Sequence, residues 1–381
     1  MIYFNQATTS YPKPDKVIEE MINMMKYIGG SPGRSDDRSQ REVSTIVTET
    51  RRMIAKLFQS TDPNKVIFTQ NATTALNQAI KGLHWEAGDH IITSTLEHNS
   101  VRRPIHFIQE SYGVDVTYLN PKEQPSIVNS INKNIKDSTK AIIITHACNV
   151  TGDVMPIEEI GKIARDNNVI FIVDGSQSVG HIPISMKDWG INMFAFPAHK
   201  SLLGPQGIGV LLVEGEVKLE PIHHGGTGIY SEEVSMPTKW PYRFESGTLN
   251  GPAIAGLKAA LNLHEINKEE NVSRETILFN KLIKGLREIE GVTIYSLSER
   301  KENIPIVAFN IKDISSQEIA MILDSHYNIS VRAGLHCNPL CHETYGTVEQ
   351  GMVRASINAS NNEEEVNIFL RAIKEIVDSY D

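Results

Sequence analysis

Through the first two thirds of the chain, short apolar runs rich in β-branched residues alternate with stretches whose apolar positions recur every three or four residues. The runs predict strands over 65–69, 90–94, 114–119, 141–146, 169–174, 193–196 and 208–213. Several are continuously apolar, the pattern of a strand covered on both faces. The intervening stretches predict helices near 71–81, 100–111, 126–135 and 156–166. Such alternation builds an α/β fold on a mostly parallel sheet, here of seven strands. Sheets of this kind receive ligands beyond the carboxyl ends of their strands.

The pattern changes near Gly247–Gly251. Helical periodicity follows over 252–266 and 272–289, then a strand at 304–310, a helix at 316–325 and a last helix over 363–379. This predicts a large domain over 15–250 and a smaller α+β domain made from 1–14 and 251–381.

Composition narrows the function classes. A length of 381 residues with 40% hydrophobic and 22% charged residues is that of a globular protein with a sizeable core. The formal charge of −9 without a basic run argues against nucleic acid as a partner. No stretch reaches the apolar length needed to span a bilayer, and the N-terminus has no signal-peptide pattern. Cys148, Cys337 and Cys341 make no disulfide framework. The expectation is a soluble cytoplasmic protein with free thiols.

Five segments carry chemistry. Lys200 follows the apolar run ending Phe196-Pro197-Ala198-His199, and Asp174 ends an earlier one. A lysine and a strand-end aspartate suit pyridoxal phosphate (PLP): the lysine forms a Schiff base and the aspartate pairs with the protonated pyridine nitrogen. Taken singly, Asp174 is equally a turn residue and Lys200 a solvated lysine. Thr69-Gln70-Asn71-Ala72-Thr73-Thr74 opens a helix, where amides and hydroxyls bind phosphate, although Asn71 or Thr73 as a plain N-cap explains it too. His98, after a strand, can stack on a flat ring or move a proton, or simply enter a helix. Around Cys337 stand Arg332 and Arg354, with His336, Cys341 and His342. Arginine reads a carboxylate bidentately, and positive charge favours a thiolate. The His and Cys residues are zinc-ligand types, but their spacing does not match the usual zinc sites, and no metal is expected.

In order and spacing these segments resemble the class V aminotransferase family, in its cysteine desulfurase and selenocysteine lyase branch. The resemblance runs from Tyr3-Phe4-Asn5-Gln6-Ala7-Thr8-Thr9 to about Glu365. It implies a fold-type I PLP enzyme, a homodimer with active sites at the subunit interface. It further implies Lys200 as Schiff-base lysine, Asp174 as pyridinium partner, Gln177 near the phenolic oxygen and His98 stacked on the ring. Thr73, Thr74 and His199 are implied as phosphate ligands, with Thr248 donated by the other subunit. Asn149 and Arg354 are implied as substrate-carboxylate binders, and Cys337 as the sulfur acceptor; Arg332 is a further candidate for substrate binding. The chain departs from the family pattern at Asn5, Asp37, Pro197, Asn338, Cys341 and the string Ile357-Asn358-Ala359-Ser360-Asn361.

The expected activity is L-cysteine desulfuration to alanine with a persulfide on Cys337, and a sulfur- or selenium-acceptor protein as possible partner. Selenocysteine lyase or cysteine sulfinate desulfinase activity is the alternative. More distant are another β-eliminating enzyme, an aminotransferase, or a PLP- or zinc-binding protein without turnover.

Overall fold

The structure, a computed structural model, describes residues 1–30, 37–124, 126–297 and 303–380. After β1 (Ile2–Tyr3) come β2 (Val66–Thr69), β3 (His90–Ser94), β4 (Asp115–Leu119), β5 (Thr139–Thr145), β6 (Ile170–Asp174), β7 (Met193–Pro197) and β8 (Gly209–Val213). The last seven form one sheet in the order β2-β8-β7-β6-β5-β3-β4. Strands β3 to β7 run parallel to one another, while β8 is antiparallel to both β7 and β2. This is the mostly parallel seven-stranded sheet that the continuous apolar runs predict.

Alternate side chains of each strand feed opposite faces. Ile91, Ala141 and Ile143 pack under helices α3 (Ala72–Lys81) and α4 (Asn99–Tyr112). Earlier in the chain lie α1 (Asp15–Asn23) and α2 (Arg38–Leu57). Ile92, Ile142 and Ile144 face α2, α5 (Ile127–Asn134), α6 (Ile157–Asp166) and the first half of α7 (Gly251–Arg287). Fully burying one such aliphatic side chain stabilises the fold by roughly 1.5–3 kcal/mol.

Strands β9 (Val292–Tyr295), β10 (Ile306–Ile311), β11 (Ile329–Ser330), β12 (Arg332–Gly334) and β13 (Met352–Ser356) follow. Of these, β12-β13-β10-β9 form an antiparallel sheet, and β11 pairs with β1. Helices α8 (Ser316–Tyr327), α9 (Pro339–Tyr345) and α10 (Glu363–Ser379) complete the chain. The second half of α7, with Leu278, Leu282 and Leu286, packs with α8, α10 and this sheet in a separate core.

Where the apolar pattern predicts two helices over 252–266 and 272–289, one helix of 37 residues runs through. Its middle, Asn267-Lys268-Glu269-Glu270-Asn271, has no apolar stripe but consists mostly of good helix formers without Gly or Pro. Helices α1, α2 and α9, and strands β1, β9 and β11 to β13, are absent from the sequence reading. The strands are mostly too short to show a period, and their pairing partners lie far along the chain.

Candidate active site

Loops past the carboxyl ends of β2, β3, β5, β6 and β7 converge on a cavity of about 200 Å³. It brings together Thr73, His98, Asn149, Asp174, Gln177 and His199, together with Lys200, Arg332 and Arg354. The two arginines come from β12 and β13, where they are directly paired across the antiparallel ladder. Directly opposed residues share a face, so both guanidiniums arrive from one side.

The local chemistry of each segment sets its geometry. Asn71 caps α3, its Oδ1 accepting from Thr74 N at 2.9 Å. Gly209 is required beside it, because a Cβ there would stand 2.3 Å from the Asn71 carbonyl carbon. The start of α3 therefore lies hard against β8, and the Ala72 and Thr73 amides open the helix, where anions bind. Asp174 is nearly buried and its Oδ1 accepts from Ser176 N at 2.9 Å. Gln177 Nε2 donates to Ala7 O at 3.1 Å. His98 caps α4: Ser100 N donates to its Nδ1 at 3.0 Å, which leaves the ring proton on Nε2. Desolvation lowers the His98 pKa to about 4, so the ring is neutral at physiological pH.

Lys200 keeps some exposed surface toward the cavity but is ringed by protein. Desolvation lowers its pKa to about 8, against the opposing pull of Asp174. A lysine in that range has an available free amine near neutral pH. His199 is likewise lowered to about 4 by desolvation, with its Nδ1 buried and without a partner among the described residues.

Arg354 is fully buried. Its Nη1 donates to Asn149 O at 2.6 Å and its Nη2 to Thr8 Oγ1 at 2.8 Å. Its Nε has no hydrogen-bond partner, and no carboxylate among the described residues is paired with it in an ion pair. Burial, then the neighbouring Arg332, lowers its pKa to about 9. A buried guanidinium without an anion is costly, and a carboxylate arriving in the cavity removes that cost.

Cys337 lines an adjoining groove that shares Thr73, His98 and Ser100 with the cavity. It is exposed, and Arg332 Nη2 donates to its Sγ at 3.3 Å. His336 and Cys337 both take left-handed φ, 53° and 58°. Four contacts hold this turn: Asn99 N to Cys337 O, Asn149 Nδ2 to His336 O, and Asn338 Nδ2 to both Leu96 O and Asn149 Oδ1. Asn338, a departure from the family pattern, thus joins the Cys337 turn to the loops bearing His98 and Asn149.

The remaining expectations lie elsewhere. Thr74 sits one residue past the cavity wall, its hydroxyl held by Gln70 and Asn71. Thr248 is exposed and outside this chain's own cavity. Asp37 caps α2, accepting from Gln40 N, rather than entering the cavity; Gly33 to Asp36 lie outside the described residues. The zinc-type side chains diverge. His336 and His342 stack at 5.5 Å, while Cys341 faces Cys148, sulfurs 3.9 Å apart. No helix among the described residues is long and apolar enough to cross a membrane.

Sequence reasoning missed Thr8, Ser100, Ser176 and Glu97. Ser100 had a readable signal, two residues past His98. Thr8 had none, since its partner Arg354 is 346 residues away. Glu97 is fully buried beneath the cavity, and burial raises its pKa to about 8 despite bonds from Ser94 and Thr145.

Residues 2–369 match the family described as Aminotransferase class-V. The chain belongs to the aminotransferase class-V family. Within it, the chain is 30% identical to a probable cysteine desulfurase of Methanothermobacter thermautotrophicus, over 98% of this chain and 94% of that protein. It is 34% identical to the cysteine desulfurase IscS of Buchnera aphidicola subsp. Schizaphis graminum, over 88% and 80%. The apo structure of a cysteine desulfurase from Thermococcus onnurineus NA1 superposes with a TM-score of 0.92 at 31% identity, covering 99% of this chain and 95% of that one. Against the class V pattern, Pro197 brings no hydroxyl to the cavity, whereas Ser100 does.

Proposed function

We propose that this chain is a PLP-dependent cysteine desulfurase that converts L-cysteine to L-alanine and leaves the sulfur as a persulfide on Cys337. The observation that carries the substrate side is the buried Arg354 beside Lys200, without an anion among the described residues, with a thiol in the adjoining groove. The residues also suit the cofactor: a low-pKa amine, an aspartate across the cavity, a neutral imidazole and an open helix start.

Bound PLP supplies an electron sink for negative charge developing at the substrate α-carbon. Asp174 favours the positive charge that such a sink needs, and His98 covers the ring. Arg354 and Asn149 hold the substrate carboxylate, with Arg332 beside them. That fixes which bond at the α-carbon meets Lys200, the general base that takes the α-proton at Nζ. The Cys337 thiol, placed by its pinned turn, bonds to the substrate sulfur as the carbon–sulfur bond breaks. The balance is L-cysteine plus the Cys337 thiol giving L-alanine plus the Cys337 persulfide.

Thr73, His199 and the α3 amides hold the cofactor phosphate, with Thr74 at its edge. Thr248 reaches the phosphate of a second copy, which makes the working unit a homodimer. An external thiol or a sulfur-acceptor protein then discharges Cys337.

The test is alanine formation from L-cysteine with persulfide labelling at Cys337. Cys337→Ala is expected to abolish labelling and to lower alanine formation at least a hundredfold, roughly the loss of a positioned catalytic group. Undiminished alanine formation by that variant overturns the desulfurase reading in favour of a lyase without a covalent sulfur carrier.

A further inference from the structure

Behind Lys200 lies a chain of three side chains that the proposed reaction has not used. Ser201 Oγ and His181 Nε2 are 2.6 Å apart, and His181 Nδ1 and Glu275 Oε2 are 2.9 Å apart. Glu275 is nearly buried, and its Oε1 accepts from Ala359 N at 3.1 Å. A carboxylate on Nδ1 keeps the imidazole proton there, so Nε2 accepts and the Ser201 hydroxyl donates. The contact is tightly built. Gly180, at φ 97°, precedes His181, and a Cβ on it would stand 2.8 Å from the Ser201 carbonyl carbon.

Serine, histidine and acid in this order also make a nucleophile for acyl transfer. Acyl transfer needs room for a substrate at the serine. The cavity that Ser201 borders is about 10 Å³, the size of one water. Lys200, His181 and Gln177 border the same cavity. On its other side His181, together with Glu275, lines a much larger cleft beside the C-terminal half of α7, about 1270 Å³ among the described residues. The three side chains therefore span from the lysine's own small cavity to an open cleft.

We propose that Ser201, His181 and Glu275 form a proton relay that exchanges the proton held by Lys200 with the cleft beside α7. The inference rests on Lys200 being the α-proton base. With substrate seated, the front cavity is filled and this rear path remains. The ammonium of Lys200 releases a proton through one water to Ser201 Oγ while the Ser201 proton passes to His181 Nε2. The imidazolium, held by the Glu275 carboxylate, then gives up a proton on the cleft side. One proton moves from Lys200 to the cleft, and no bond between heavy atoms changes. The reverse sequence recharges the lysine when a proton is needed at carbon. Ser201, His181 and Glu275 are positioning and relay residues, not groups that touch the substrate.

The experiment is exchange of the α-hydrogen of L-alanine in D2O by the PLP-loaded enzyme, followed by proton NMR. It needs Lys200 and the cofactor but neither Cys337 nor sulfur chemistry. In Ser201→Ala and His181→Gln, exchange is expected to fall about a hundredfold, the lower end of what a positioned proton carrier contributes, while the absorption band of lysine-bound PLP persists. L-Cysteine deuterated at the α-carbon, turned over in ordinary water, is expected to leave more deuterium in the alanine made by the variants. A purely structural role slows turnover without changing that partition, so slower turnover with unchanged deuterium retention overturns the relay, as does unchanged alanine exchange. If either variant loses the PLP band, Glu275→Gln carries the test, since its amide oxygen retains an acceptor for Ala359 N. Wild-type enzyme that exchanges alanine but makes none from cysteine overturns the desulfurase reading and leaves the relay standing.

Discussion

Individual residues here acquire their chemistry from what surrounds them. Lys200 and Asp174 are ordinary types, and each has a bland explanation from sequence alone. Convergence on one cavity with His98, Gln177 and His199 is what distinguishes them. The Lys200 pKa gives a test independent of turnover. Burial lowers it from 10.5 to about 8, so below pH 8 the cofactor-free fold carries a buried ammonium that the unfolded chain hydrates freely. Between 8 and 10.5 the unfolded state binds the extra proton, and stability from this group rises with pH. The size is about 3 kcal/mol. Lys200→Met is therefore expected to stabilise the cofactor-free protein below pH 8, by urea unfolding, with the gain fading toward pH 10.5. A gain that does not depend on pH would show that the charge is not its cause.

At the scale of elements, the parallel strands place the loops, and close contacts fix how each loop points. Gly209 on β8 is the clearest case. Its missing Cβ lets the first residues of α3 press against the strand. Gly209→Ala forces that helix start away by more than the flexibility of a side chain can absorb. Overpacking of this kind costs about 1–3 kcal/mol, and the displacement falls on the helix end assigned to phosphate. The expected result is weaker PLP binding, measured by absorbance titration, with a smaller loss in thermal stability. Native cofactor affinity in that variant would remove α3 from the phosphate site. Most of the seven strands were legible as apolar runs buried on both faces, whereas β4 at the sheet edge is only partly buried. The Cys337 turn was not legible, since Asn338 and Asn149 recognise backbone and side chains 187 to 242 residues away in sequence.

The whole molecule joins two cores through α7, and the cavity takes residues from both: Lys200 from the seven-stranded sheet, Arg354 from the smaller one. In the proposed dimer, Thr248 extends the same logic to a second copy. It follows Glu245, whose carboxylate meets Arg51 at 2.5 and 2.9 Å in a buried ion pair and also accepts from Phe68 N. The segment leading to Thr248 is thus anchored to α2 and β2. If the site is shared across a dimer, Lys200→Ala and Thr248→Ala chains fail in different places. Mixed, they are expected to form dimers containing one complete site and to recover activity that neither has alone. Mixing followed by cysteine turnover checks this, and no recovery despite demonstrated subunit exchange would confine each site to one chain.

The sequence by itself determined the α/β class, the seven strands and the order of the residues proposed to hold the cofactor. Those depend on local periodicity and on spacing along the chain, which the chain carries wherever it folds. Tertiary structure decided which residues touch. Arg354 faces Thr8 and meets no anion among the described residues, His181 bridges Ser201 to Glu275, and Cys337 stands in a groove beside the cavity rather than inside it. Those facts follow from desolvation and hydrogen bonding between segments far apart in the chain, and periodicity along a sequence has no term for either.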